Sequence, residues 1–167
     1  MATEVRGIFI PGDVRSSKNS RQLIYHKNKA TGKSKPIIIH SKTVTKYIKQ
    51  TKLFWLEQKK PFLELVKDME YPYLLFFHFV RGSRRKWDGT NLLQLPQDLM
   101  VKYGYIADDN MENLVPQFLK VKGKWFSYDK ENPGLYIIPY NKENKEALKQ
   151  AQIKVWKEEN NLKKELK

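Results

Sequence analysis

Four aspartates and a run of cations fall within one short stretch of this chain. Asp88 follows Arg84-Arg85-Lys86-Trp87, Asp98 comes ten residues later, and Asp108-Asp109 come ten beyond that. Mg²⁺ takes hard oxygen ligands, usually one or two carboxylates, and fills its shell with water and substrate phosphate oxygens. Such an ion activates a water, orients a phosphate and stabilises a departing oxygen. On this reading Asp88, Asp98 and one of Asp108 or Asp109 supply ligands, Asn91 could add its amide oxygen, and Arg84, Arg85 and Lys86 hold phosphate. Two adjacent acids also allow one to bind metal while the other positions or deprotonates water. The competing reading is structural. Asp-Gly and Asp-Asp-Asn are ordinary turn sequences, and Asp98 would then be a solvated helix residue.

The elements that must position these residues follow from periodicity and breakers. Val5 to Ile10 reads as a first strand, ended by Pro11-Gly12-Asp13. A polar loop, Ser16 to Gln22, contains Lys18 and Arg21, which suit phosphate contact. Leu23–Tyr25 and Pro36–His40 predict a hairpin, since the Ile37-Ile38-Ile39 run strongly favours a strand. Ser41 is placed to cap a helix over 43–59, and Pro61 is expected to start a separate short segment, Phe62–Val66. Tyr71–Val80 predicts the central strand, which should lead into a basic loop, 81–86. A helix over 91–103 should stop at Gly104, with a kink or restart at Pro96. On it, Asn91, Gln94 and Asp98 share one face, and Leu92, Leu95 and Leu99 share the face that packs on a sheet. Leu114–Val121 and Gly134–Tyr140 read as further strands, with Trp125–Tyr128 pairing with the latter. From Asn141 the chain is highly charged. Leu148, Ala151, Val155 and Leu162 form a narrow stripe there, the pattern of a solvated helix. These expectations amount to one small α+β domain with a mixed β-sheet and packed helices over 1–140, and a charged helical tail over 141–167.

Composition narrows the function classes. A chain of 167 residues that is 40% hydrophobic can bury a core. It has no apolar run near the roughly 20 residues of a membrane span, and Glu4 and Arg6 break the pattern of a secretory signal. Cysteine is absent, so thiolate metal sites and disulfides are excluded, and a cytoplasmic location fits. The net charge of +14 favours a polyanionic partner, nucleic acid before an anionic membrane surface. His26, His40 and His78 share no ligand spacing, and His78, in an apolar strand, reads as a satisfied core residue. Trp87 could stack on a base or serve as packing or a dimer contact. Tyr103 and Tyr105 read as core or interface residues.

The segment 84–113 resembles the RusA family of Holliday-junction resolvases. The family pattern is a basic run, Asp-x-Asp-Asn, a lysine three residues on, an Asp-x-Leu helix, and an Asp-Asp pair after a Gly-aromatic turn. Here it reads Arg84-Arg85-Lys86-Trp87-Asp88-Gly89-Thr90-Asn91, then Gln94, Asp98-Leu99-Met100 and Gly104-Tyr105-Ile106-Ala107-Asp108-Asp109. Upstream, Ser17-Lys18-Asn19-Ser20-Arg21 looks like the family's polar loop, and His40-Ser41 like its helix entry. The likeness spans most of residues 5–140 but is specific only in the 84–113 block.

The resemblance implies a RusA-like α+β fold, a tight homodimer, and Mg²⁺-dependent cutting of branched DNA, with Mn²⁺ as an alternative ion. It puts Asp88 and Asp109 at metal-binding catalytic positions, Asp98 and Asp108 in the same site, and the basic run on the junction backbone. It also implies a phage or prophage protein acting in the cytoplasm of a bacterial host. Two departures weigh against cutting: Thr90 replaces the second aspartate of the pattern, and Gln94 replaces its lysine. Asn91 and Asp98 would complete a rearranged site. The alternatives are a DNA-binding protein on the same fold that does not cut, and a lysine-rich protein-interaction module.

Overall fold

The computed structural model describes residues 5–17 and 21–150. Seven strands and two long helices are arranged as β1 (Ile8–Pro11), β2 (Arg21–Lys27), β3 (Ser34–His40), α1 (Lys42–Val66), β4 (Tyr73–Arg81), α2 (Gly89–Lys102), β5 (Leu114–Phe118), β6 (Phe126–Tyr128) and β7 (Gly134–Pro139). The main sheet runs β1-β7-β4-β5, with β6 also on β4. β7 pairs antiparallel with β1 and β4, whereas β5 and β6 lie parallel to β4. The sheet is therefore mixed and the fold is α+β. The expected pairing of 125–128 with β7 is corrected: Phe126–Tyr128 continues the β4 edge beyond β5, with Phe79 opposite Phe126.

β4 has a core on each side because successive side chains alternate across a strand. Leu75, Phe77 and Phe79 join the buried faces of α1 and α2, while Phe76 packs with Leu119, Ile138 and Leu148 on the opposite side. His78 also belongs to the second side. One ring nitrogen lies 2.9 Å from the Leu119 carbonyl and the other 2.8 Å from Ser127 Oγ. The carbonyl can only accept, so Nδ1 carries the proton and Nε2 accepts from the serine. His78 is thus a satisfied core residue, as its apolar strand implies.

α1 is one helix of 25 residues, not two segments divided at Pro61. Ser41 Oγ accepts from the Val44 amide at 3.3 Å and caps its start. Val44, Tyr47, Trp55, Phe62 and Val66 form one buried stripe. An interior proline costs a helix about 3 kcal/mol. Burying Phe62 and Val66 along the Trp55 stripe returns about 1.5–3 kcal/mol each, and Pro61 itself sits on the solvent side. Burial therefore outweighs the lost bond. α2 likewise runs unbroken through Pro96, which is buried with Leu92, Leu93, Leu95, Leu99 and Met100.

Residues 141–150 are fastened to the body. Asn144 is buried and bonds both the amide and the carbonyl of Arg6, and Leu148 fills the second core. Leu148 is thus not part of a solvated stripe. Ala151, Val155 and Leu162 lie outside the described residues, as does Lys18. Among the described residues no helix is long and apolar enough to cross a membrane.

Candidate functional site

α2 begins two residues earlier than its apolar pattern predicts, because Asp88 caps it. The Asp88 carboxylate accepts from Thr90 Oγ1 at 2.6 Å, the Asn91 amide at 3.2 Å and Asn91 Nδ2 at 2.8 Å. A carboxylate at this position satisfies otherwise orphaned amides and meets the positive end of the helix dipole. Thr90, which stands where the RusA pattern has a second carboxylate, is thus a donor to the first. The side chain of Asn91 is turned to Asp88.

Helix geometry sets the spread of the acids. Ten residues separate Asp88 from Asp98, which is about 15 Å along the helix axis at 1.5 Å per residue. These two carboxylates cannot share one ion within one chain. At the far end, Gly104 takes φ +73°, and the amides of Gly104 and Tyr105 bond back to the carbonyls of Val101 and Met100. This left-handed glycine stop reverses the chain. Tyr105 and Ile106 are then buried, with the Tyr105 hydroxyl on the Trp55 carbonyl, which fixes the exit of the turn.

The next residues act on Asp98 through charge. Burial raises the Asp98 pKa from the ordinary aspartate value, the charge of Asp109 raises it further, and His40 and Arg21 oppose both. Asp98, Asp109, His40 and Arg21 therefore share one electrostatic neighbourhood. Asp108 has another part: its carboxylate accepts from the Asp109 amide at 2.8 Å and Asn110 Nδ2 at 2.9 Å, ordinary turn chemistry. Of the four aspartates, Asp98 and Asp109 are coupled electrostatically, Asp88 caps α2 and Asp108 serves a turn. Among the described residues no group of three or more His, Cys, Asp or Glu side chains could hold a metal ion. A two-carboxylate site completed by water still meets the usual requirement of Mg²⁺. The mutual repulsion of Asp98 and Asp109 is what a divalent cation relieves.

His40 shares no ligand spacing with the other histidines, and its influence on Asp98 arises only through tertiary structure. It ends β3 immediately before the α1 cap and faces Arg21 across the ribbon. A pocket lined by Arg21, Ile38, Ile39, His40 and Thr45 opens beside that pair.

The basic stretch divides. Arg81 is not part of the loop; it is the buried end of β4, 2.9 Å from Asp13. Arg84, Arg85 and Lys86 are exposed, and Arg84 leans over the Tyr128 ring at 4.5 Å. Trp87 packs among Phe79, Phe126 and Arg81, so its ring is a structural wedge between the basic loop and the sheet. No protein-family model and no curated protein matches the chain.

Proposed function

We propose that this protein is a structure-selective endonuclease that cuts branched DNA, with Holliday junctions the leading substrate, by Mg²⁺-dependent phosphodiester hydrolysis as a homodimer. The observation that carries the reading is the electrostatic coupling of Asp98 to Asp109, which follows the Gly104 turn, on an otherwise strongly basic molecule. The two carboxylates would hold one Mg²⁺, and the ion supplies Lewis acidity and an activated water when bound. Asp109, on a turn, is suited to receive a proton from that water. His40 and Arg21, whose charges oppose the Asp98 shift, would meet the scissile phosphate or its neighbour. Arg84, Arg85 and Lys86 would hold the backbone near Asp88. The likeness of residues 84–113 to the RusA pattern supports the same chemistry, and a homodimer would match the two-fold symmetry of a four-way junction.

A second reading is favoured by a specific observation. The carboxylate of Asp88 is committed to its helix cap, and Thr90 and Gln94 stand where the pattern has an acid and a lysine. A DNA-binding protein on this fold that does not cut would look the same. The separating experiment is junction nicking with Mg²⁺ or Mn²⁺ by the wild type, Asp98→Asn and Asp109→Asn. Nicking by the wild type, abolished in both variants while junction affinity is kept, supports the nuclease. Tight binding without nicking by the wild type selects the second reading, and cutting that persists in both variants removes the site assignment.

A further inference from the structure

We propose that the β2–β3 ribbon is an arm for DNA: its lysine-rich tip holds backbone phosphates, and its apolar face meets the unstacked bases of a branch point. This deepens the DNA-binding reading above and rests on it. The ribbon is a two-stranded sheet of its own, and every residue from 21 to 40 is exposed. An isolated two-stranded ribbon is marginally stable in water, so this one is suited to lie against a partner.

Charge selects that partner. Between residues 21 and 40 the cations are Arg21, Lys27, Lys29, Lys33 and Lys35, and there is no aspartate or glutamate. Four of the five surround the turn, where the Asn28 amide bonds the Lys33 carbonyl and the Gly32 amide bonds the Asn28 carbonyl. Two copies of this ribbon laid together would set these cations against one another, whereas a polyanion neutralises them. Seven-residue strands extend about 23 Å, and a two-stranded ribbon fits the major groove, about 12 Å wide. Lysines on both strands of the tip could then reach phosphates on either side.

The two faces of the ribbon differ. Leu23 stands opposite Ile38, and Tyr25 opposite Pro36, on one face. Leu23, Ile38 and Tyr25 are 58%, 64% and 71% exposed, whereas Ile24, Ile37 and Ile39 on the other face are 38–41% exposed. Bases in an intact duplex are stacked and offer such a face only their edges. Bases at a branch point can be unstacked by apolar side chains, and an aromatic ring can stack on them. The root of the ribbon is the Arg21–His40 pair, whose charges reach Asp98.

The test measures fluorescence-anisotropy affinities for a four-way junction and for a linear duplex of equal length, over a range of salt, together with sedimentation of each protein. Combining Lys27→Gln, Lys29→Gln, Lys33→Gln and Lys35→Gln should weaken both DNAs at least tenfold. It should also flatten the salt dependence, by about 0.9 in slope for each phosphate that the variant no longer neutralises. Combining Leu23→Ser with Tyr25→Ala should weaken the junction about tenfold and leave the linear duplex within twofold. All six side chains are exposed, so folding should be kept. Wild-type protein that binds neither DNA removes the DNA-binding reading and the arm together. Wild type that binds while the lysine variant binds equally well removes the arm alone. The arm is also overturned if the Leu23/Tyr25 variant turns a dimer into monomers with junction affinity unchanged, which would make the ribbon a contact between copies.

Discussion

Arg81 and Asp13 form a buried ion pair, 2.9 Å from Nη1 to Oδ1, where the chain leaving β1 crosses the end of β4. The same Nη1 donates to the Val14 carbonyl at 2.7 Å, and Asp13 Oδ1 also accepts from the Gly82 amide at 3.3 Å. Burial lowers the Arg81 pKa from the ordinary arginine value, and Asp13 pushes it back. The pair thus anchors both the loop toward Arg21 and the basic loop toward Asp88. It joins the two stretches that the proposed DNA surface uses.

Removing one partner of such a pair leaves a charge buried without compensation. Asp13→Ala should lower unfolding free energy by about 3–5 kcal/mol, read as a lower urea midpoint. Arg84→Ala, which removes an exposed contact with Tyr128, should cost no more than about 1 kcal/mol. Equal, small effects from both variants would show that the Arg81–Asp13 pair does not anchor the loops.

His78 gives the stability a pH dependence of known sign. Burial lowers its pKa from the histidine reference, and its bond to the Leu119 carbonyl only partly opposes this. The unfolded chain therefore takes up more protons than the folded one below about pH 6.5. Stability should be full above that value and fall as pH drops toward the folded pKa. His78→Gln should flatten this part of the urea-midpoint profile between pH 7.5 and 5.5. An imidazole that titrates by NMR at or above the ordinary value would contradict the buried, Nδ1-protonated assignment.

The fold was legible wherever a pattern is local. Ser41 as a cap, Gly104 as a stop, the Leu92-Leu95-Leu99 face and the hairpin either side of 27–35 each follow from residue type and period, and the structure agrees. Pro61 and Pro96 mislead, because breaker strength is a local cost and burial along the helix is not visible locally. The strand partner of 126–128 is hidden for the same reason: a parallel pairing with β4 has no turn signature to announce it. The candidate site was legible as a set of acids but not as a grouping. Whether Asp88 caps or ligates depends on two neighbouring donors, Thr90 and Asn91. His40 joins Asp98 only through tertiary structure, so no spacing along the chain reveals it.

Asp98 should titrate above the ordinary aspartate value, and the causes can be separated. Asp109→Asn removes one raising charge, so the Asp98 pKa should fall in that variant, as followed by carboxyl ¹³C shifts. His40→Ala removes an opposing charge wherever the imidazole is protonated, so there the pKa should rise. Because folding favours the protonated form of Asp98, its contribution to stability is greatest at low pH. It declines as pH rises from the unfolded pKa through the folded one. Adding Mg²⁺ should pull the pKa down if Asp98 and Asp109 share the ion. A titration curve indifferent to Mg²⁺ at millimolar concentration would mean that this pair is not a cation site.

Asp88 has two candidate roles that one pair of substitutions separates. As a helix cap, it needs an oxygen that can accept from the Asn91 amide, and asparagine serves almost as well as aspartate. As a metal ligand or an electrostatic contact, it needs the negative charge. Asp88→Ala removes the cap and should cost about 1 kcal/mol in unfolding free energy, whereas Asp88→Asn should stay within about 0.5 kcal/mol of the wild type. If Asp88 only caps, Asp88→Asn should nick junction DNA at the wild-type rate, and Asp88→Ala should do so wherever it remains folded. If its charge serves the reaction, both variants should nick at least tenfold more slowly, although only one of them is less stable. The geometry favours the first pattern, since Asp88 stands about 15 Å along the helix from Asp98 and already accepts from both donors of Asn91. Failure of a fully stable Asp88→Asn to nick would instead place a second charge-dependent centre at the start of α2, beside the exposed cations Arg84, Arg85 and Lys86.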